Sequence, residues 1–167
     1  MIYVSSLSKA LAPGFRTGFA VSPPALTAHV AAAARAAATM PSAALAGVAA
    51  DLIASGAAHA ARAAQRTETL ARLGIAREYL PNAAFTAAVT PHLWIALPEP
   101  WRADPFAAEA YRRGVAVSPA SAFATTRIAP EAVRVSLSAP HDHAQLRRGL
   151  AIVRDLLRDP PLGGVTI

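Results

Sequence analysis

Apolar residues follow a helical spacing through the first half of the chain. Up to residue 73 most of them are alanines, and the pattern predicts helices over 25–39, 43–54 and 57–73. We expect Ser42 to cap the second helix, because its hydroxyl can accept hydrogen bonds from first-turn amides. We expect Gly74 to end the third. Ahead of these helices, residues 2–4 and 17–21 are short runs typical of strands.

Beyond Pro81 the pattern changes, because β-branched and aromatic residues replace alanine. It predicts strands at 85–89, 93–97, 115–117 and 133–137, and helices over 105–113 and 142–158. Asp104 and Asp142 are expected to begin these two helices, and Gly114 to end the first. Helices and strands that alternate through short connections predict the α/β or the α+β class.

The order of elements indicates two parts, residues 1–55 and residues 56–167. Two short strands and two alanine-rich helices cannot cover each other in the first part, since a parallel pair is normally buried on both faces. We therefore expect the first part to be the end of a larger sheet.

Composition excludes several classes of function. The 167 residues include no cysteine, so a disulfide framework, a thiolate zinc site and a cysteine nucleophile are excluded. The five histidines do not share a ligand spacing with carboxylates, and no metal is expected. The net charge of +6 comes from dispersed arginines, which disfavours nucleic-acid binding by this chain. With no long apolar run and no signal-peptide pattern, we expect a cytoplasmic protein without a membrane partner.

One segment, residues 5–18, concentrates the groups of an anion-binding nucleophilic site. It has the sequence SSLSKALAPGFRTG and contains Lys9, the only lysine of the chain. A partly deprotonated lysine amine forms a Schiff base with an aldehyde, and a neighbouring cation such as Arg16 favours the neutral amine. Hydroxyls and a guanidinium suit a phosphate dianion. The chemistry alone fits an ordinary strand–turn–strand hairpin with an exposed lysine equally well.

This segment resembles the pyridoxal-phosphate lysine signature of class I and II aminotransferases of fold type I. Its LAPGFR form is most similar to the aminotransferase-like domain of MocR-type transcriptional regulators in the GntR superfamily. Three later stretches resemble the small domain of the same family, namely HLWIALP at 92–98, RGVAVSPASAF at 113–123 and VRVSL at 133–137. The resemblance covers residues 2–158. It implies the C-terminal part of a PLP-dependent transferase fold, with the end of the large-domain sheet in 1–55 and an α+β small domain in 56–167.

The resemblance also implies roles for five residues. Lys9 would form the Schiff base with pyridoxal 5'-phosphate and then move the α-proton of the substrate. Ser6, Ser8 and Arg16 would hold the phosphate of the cofactor. Arg134 would bind the α-carboxylate of an amino acid or 2-oxo acid, for which a guanidinium fork is better suited than an ammonium group.

Three functions remain open from the sequence. The chain is a pyridoxal-phosphate-binding domain of a MocR-type regulator, part of a free-standing amino acid aminotransferase, or a non-catalytic remnant that binds no cofactor by itself. For the regulator, we expect a homodimeric full-length parent that binds DNA only through a separate N-terminal domain. The family places its phosphate-binding glycine turn and the carboxylate that pairs with the pyridinium nitrogen upstream of the lysine. We therefore expect the chain alone to be inactive.

Overall fold

The protein is described by a computed structural model that covers residues 1–8, 11–38, 42–81, 83 and 89–159. The chain forms two compact units, Met1–Arg66 and Thr67–Ile167. The first unit contains, in order, β1 (Tyr3–Ser6), a 3-10 turn (Pro13–Phe15), β2 (Gly18–Val21), α1 (Pro24–Ala38), α2 (Ala43–Ala54) and most of the first half of α3 (Ala57–Tyr79).

The three helices predicted from the alanine pattern are all present. Ser42 caps α2 as expected, since its hydroxyl accepts a hydrogen bond from the amide of Leu45 at 3.4 Å. The prediction that Gly74 ends α3 is wrong, because the helix continues to Tyr79. A glycine inside a helix costs about 1 kcal/mol, and burial of the next turn through Ile75 and Ala76 offsets that cost.

Strands β1 and β2 form an antiparallel pair with Tyr3 opposite Val21 and Ser6 opposite Gly18. The side chains of this hairpin remain accessible, as the exposures of 73% at Val4 and 62% at Val21 show. Among the residues of the first unit whose burial is described, only Leu7 and Ala49 are buried. A two-stranded sheet is too small to bury both of its faces by itself.

The second unit contains a three-stranded antiparallel sheet and helices packed on one face. Its elements are the second half of α3, β3 (His92–Ala96), α4 (Ala103–Arg112), β4 (Ser118–Pro119), a 3-10 turn (Ala120–Phe123), β5 (Ala132–Ser136) and α5 (His143–Arg158). The strand order is β3–β5–β4, so that β5 lies in the centre. Asp142 caps α5 as predicted, with the amide of Gln145 donating to its carboxylate at 2.7 Å.

Two local predictions in this unit are wrong. The strand expected at 115–117 begins only at Ser118, because the amide of Val115 is already bonded to the carbonyl of Ala110 at the end of α4. Gly114, with a φ of 89°, reverses the chain there as expected of a helix-ending glycine. Asp104 does not cap α4. The cap position is Arg102, and Asp104 lies in the first turn, where it accepts a hydrogen bond from the hydroxyl of Ser121 at 2.8 Å.

The strand expected at 85–89 lies almost entirely outside the described residues. Only Val89 is described, and it does not belong to a strand.

The core of the second unit lies between one face of the sheet and the three helices. Alternation along β3 and β5 sends every second side chain to this face. The largest fully buried side chains are Phe106, Leu137, Leu146, Leu150, Leu156, Val133 and Val153. Trp101 also lies in this core, and its indole N–H donates to the carbonyl of Leu156 at 2.8 Å.

A buried guanidinium joins α3 to the chain that follows β5. Arg72 Nη1 donates to the carbonyls of Leu137 and Pro140, both at 2.8 Å, and Nε donates to Glu68 at 2.6 Å. Glu68 also bonds His143, the first residue of α5, at 2.9 Å. A charge removed from water is tolerated only when it is paired and hydrogen-bonded, and the contacts of Arg72 supply this.

Among the described residues, no single helix is both long and apolar enough to cross a membrane. Helices α2 and α3 reach that length and hydropathy only together, and the chain bends by 81° between them.

Glu68 is expected to make the stability of the second unit depend on pH. The hydrogen bond from Arg72, and then that from His143, hold the pKa of this carboxyl below its usual value of 4.5. A lowered pKa in the folded state means that the contribution is complete above about pH 4.5 and disappears as the pH falls through the folded value. In urea unfolding, Glu68→Gln should cost less than about 1 kcal/mol at pH 6, since the pair is half-exposed and screened.

The difference between the wild-type chain and Glu68→Gln should shrink as the pH is lowered to 3. Glu99→Gln is the matched control, since Glu99 forms no ion pair with any described residue. A difference that stays constant across this pH range would contradict the assigned role of Glu68.

Candidate functional site

The end of the β1–β2 hairpin holds three of the predicted site residues. The hydroxyl of Ser6 donates to the carbonyl of Thr17 at 3.4 Å and accepts from the amide of Ser8 at 3.1 Å. The amide of Leu7 donates to the same Thr17 carbonyl at 3.0 Å. These bonds fold the chain after β1 into a tight turn next to residues 16 and 17. Ser6, Ser8 and Arg16 therefore lie at one end of the hairpin, whereas Lys9 lies outside the described residues.

Arg16 adopts an unusual backbone conformation. Its φ of 44° lies in the left-handed region, where side chains other than glycine are disfavoured by about 1–2 kcal/mol. The adjoining residue, Thr17, stabilises the turn by donating its hydroxyl to the carbonyl of Phe15 at 2.8 Å. The side chain of Arg16 is exposed, and no carboxylate among the described residues forms an ion pair with it. It is thus a cation available to an anionic ligand.

Arg134 lies at the middle of β5, on the sheet face opposite the core. Its neighbours Val133 and Val135 are buried, so alternation places Arg134 on the other face. Trp94 of β3 and Ser118 of β4 are its register partners on either side, and they share that face. Arg134 Nη2 donates to the hydroxyl of Ser118 at 3.4 Å.

The guanidinium of Arg134 retains unused hydrogen-bonding capacity. Its Nε is buried and has no partner among the described residues, and no described carboxylate pairs with the side chain. Buried polar groups are almost always hydrogen-bonded, so this atom calls for a partner, and an anionic ligand would supply one. A guanidinium with free donors binds a carboxylate through two parallel hydrogen bonds.

Sequence reasoning missed the contact between Phe123 and this arginine. Arg134 Cζ lies over the ring of Phe123, 4.6 Å from its centroid, and the same ring packs against Trp94 in a T-shaped contact with centroids 6.0 Å apart. Phe123 is eleven positions before Arg134 in the sequence, and no periodic pattern connects the two. The alternating pattern of the strands places Arg134 and Trp94 on one face only after the register of β3 and β5 is known.

A cavity of about 510 Å³ lies elsewhere in the second unit. It is bordered mainly by apolar side chains from the end of α3, from β3 and from α5, with Arg154 and Arg158 among its lining residues. Arg134, the predicted site residue of this unit, is not among its lining residues.

Comparison with protein families identifies a match over most of the chain. The profile of the family described as aminotransferase class I and II matches residues 1–153 of the chain. No curated protein sequence matches the chain significantly.

Solved structures of similar fold are aminotransferases. An archaeal alanine:glyoxylate aminotransferase superposes with a TM-score of 0.75 over 92% of the chain at 24% identity. The α-aminoadipate aminotransferase of Thermus thermophilus, complexed with N-(5'-phosphopyridoxyl)-L-leucine, gives 0.77 over 94% at 23% identity. The kynurenine aminotransferase of Pyrococcus horikoshii, in complex with PMP, gives 0.79 over 94% at 21% identity.

The chain corresponds to only part of these proteins. It covers 39%, 41% and 40% of the three structures, respectively. The likeness confirms the predicted fold class, a mixed helix and sheet arrangement equivalent to part of the aminotransferase fold.

The left-handed conformation of Arg16 predicts an unusual response to glycine. Arg16→Gly should stabilise the β1–β2 hairpin by about 1 kcal/mol relative to Arg16→Ala, because glycine adopts positive φ without steric cost. Hydrogen exchange of the β1 and β2 amides measures this difference. Arg35→Gly in the last turn of α1 is the control and should destabilise its helix. Equal exchange in Arg16→Gly and Arg16→Ala would show that the backbone there is unstrained.

Proposed function

The chain belongs to the aminotransferase class I and II family, and from this premise we propose that it binds pyridoxal 5'-phosphate through Lys9 and an amino acid or 2-oxo acid through Arg134. The observation that carries the proposal is the hairpin end. There Ser6, Ser8 and an arginine without a carboxylate partner among the described residues surround, in sequence, the only lysine of the chain. This donor set is suited to a phosphate group next to an amine-reactive aldehyde.

The residues of the hairpin end fit the cofactor's phosphate. Arg16 supplies an exposed positive charge, and Ser6 supplies a hydroxyl whose present contacts are one long bond to a carbonyl and one accepted amide bond. A dianionic phosphate needs several donors at short range, which hydroxyls and a guanidinium provide. We therefore assign Ser6 and Arg16 to the phosphate, with Ser8 at the same turn as a further donor.

Each residue then has a defined task. When bound, the pyridine ring of the cofactor withdraws electrons from the α-carbon of the substrate. Lys9 Nζ would hold the cofactor at its aldehyde carbon and, once the amino group of the substrate has displaced it there, the freed amine would move the proton at the substrate α-carbon. Arg134 binds the α-carboxylate in the plane of its guanidinium and so fixes the orientation of the α-carbon.

The cofactor-binding and carboxylate-binding roles fall in the two different parts expected from the sequence. We assign residues 1–55 to the end of the cofactor-binding large domain and residues 56–167 to the small domain. The phosphate-binding residues then belong to the first part and the carboxylate-binding residue to the second. We further infer that the full-length protein is a homodimer, as expected from the resemblance.

We propose that the parent protein is a MocR-type regulator, in which amino acid binding controls transcription. The LAPGFR form of the hairpin sequence supports this interpretation. The solved structures of similar fold favour the second candidate, a free-standing aminotransferase. The complete upstream reading frame distinguishes them, because only the regulator requires a DNA-binding segment ahead of the cofactor domain.

Lys9 should be the site of cofactor attachment. After incubation of the full chain with pyridoxal phosphate and reduction with borohydride, mass spectrometry should locate the adduct on Lys9. Since Lys9 is the only lysine, the amino terminus is the only competing primary amine. Lys9→Ala should abolish the internal adduct, and Arg16→Gln should weaken cofactor binding several-fold, whereas Arg35→Gln should not. Labelling of Lys9 no greater than that of the amino terminus would refute cofactor binding by this chain.

Arg134 should determine carboxylate affinity without affecting the cofactor. Arg134→Lys keeps the charge but loses the planar fork, and we expect pyruvate to bind about tenfold more weakly in a titration followed by nuclear magnetic resonance. Labelling of Lys9 should remain at the wild-type level. Arg154→Lys is the matched control, because Arg154 is already paired with Asp155. Equal loss of pyruvate binding and of Lys9 labelling would mean that Arg134 is purely structural.

A further inference from the structure

Phe123 lies over the one arginine that the proposed function assigns to the substrate. The ring belongs to the 3-10 turn 120–123, directly after β4, and Arg134 Cζ lies 4.6 Å from its centroid. This distance falls within the range of attractive cation–π contacts, which extends to about 6 Å. The ring is 46% exposed, although the burial of an aromatic side chain of this size is normally favourable. The contact with Arg134 therefore covers part of a side chain that is otherwise accessible to solvent.

Two further contacts fix the position of Phe123. Trp94, which is itself 42% exposed, meets the ring edge to face with an interplanar angle of 60°. The turn that carries Phe123 is anchored by Ser121, whose hydroxyl donates to Asp104 at 2.8 Å. Trp94 of β3 thus contacts the ring itself, and the hydrogen bond to α4 anchors the turn that carries it.

An aromatic ring beside an arginine leaves the charge and the N–H donors of the guanidinium available, whereas a carboxylate partner uses both. Phe123 carries no charge and no lone-pair acceptor, so it attracts the guanidinium without neutralising it and without using its N–H donors. An arginine side chain loses about 2 kcal/mol of rotamer entropy when it is fixed. If that loss has already occurred before the ligand binds, affinity increases by preorganisation.

We propose that Phe123 is a positioning residue, which acts through Arg134 by holding its guanidinium ready for the carboxylate of the substrate. The inference depends on the proposed carboxylate role of Arg134. Ser118 holds one end of the guanidinium through its hydrogen bond to Nη2, Phe123 holds its face, and Nε retains no described partner. Trp94 acts one step further away by supporting the ring.

The test measures the mobility of Arg134 and its affinity for a carboxylate separately. In the full chain, ¹⁵N relaxation of the Arg134 Nε–H group reports how rigidly the guanidinium is held. Phe123→Leu should lower the order of this group and weaken pyruvate binding about two- to fivefold. Phe123→Tyr keeps the ring and should retain both properties. Tyr111→Leu is the matched control, because Tyr111 is an aromatic residue of the same unit that is 73% exposed.

The outcomes distinguish this inference from the proposed function. If pyruvate binds and Arg134→Lys weakens it, but Phe123→Leu changes neither Nε–H order nor affinity, Phe123 is not a positioning residue. If pyruvate does not bind the wild-type chain at Arg134, the carboxylate role fails, and the Nε–H order of Phe123→Leu alone decides whether the ring holds the arginine. Should Phe123→Leu unfold, Phe123→Met replaces it, since methionine fills a similar volume without a ring, and unchanged Nε–H order in that variant overturns the proposal.

Discussion

The two-residue alternation of β5 is the constraint on which the second unit and its candidate site both depend. Burial of Val133 and Val135 fixes which face of this central strand meets the helices. Arg134, between them, must then lie on the opposite face, where β3 contributes Trp94 and β4 contributes Ser118. A shift of register by one residue would send every side chain to the wrong face. The hydrophobic burial that stabilises the unit therefore also determines the sheet face on which the arginine lies.

How much of this could be predicted from the sequence depends on the range of the interactions. Helices α1 and α2 and the caps Ser42 and Asp142 were predictable, because periodicity and capping are local. The extension of α3 through Gly74 was not, since it depends on tertiary burial of the following turn. The start of β4 was missed because a helix-ending hydrogen bond already uses the amide of Val115.

In the site, the hydroxyls, the lysine and the arginine of the hairpin lie within fourteen consecutive residues, so their chemistry could be predicted locally. The contact between Phe123 and Arg134 depends instead on a strand register that no local pattern specifies. The roles of Lys9, Ser6, Ser8, Arg16 and Arg134 remain predictions.

The two units differ in how their structure is stabilised. The second contains a continuous apolar core, and Arg72 adds hydrogen bonds from α3 to the carbonyls of Leu137 and Pro140. In the first, Leu7 and Ala49 are the only buried side chains among the described residues, and the hairpin relies on backbone hydrogen bonds. Local stability follows the amount of buried apolar surface. The proposed carboxylate-binding arginine thus lies in the unit with more buried apolar surface. The proposed phosphate-binding residues lie in the unit with less.

The division between the units falls within a continuous helix, which affects how the protein can be dissected. The contact boundary at Arg66 and Thr67 lies in the middle of α3. Severing the chain there would expose several first-turn amides without acceptors, because every helix start leaves such groups unsatisfied. The break between α2 and α3 at Ser55 and Gly56, where Gly56 has a φ of 78°, is a natural terminus. Ser55 and Gly56 are both exposed, so a chain that begins at this bend keeps α3 intact and is the better choice for producing the second unit.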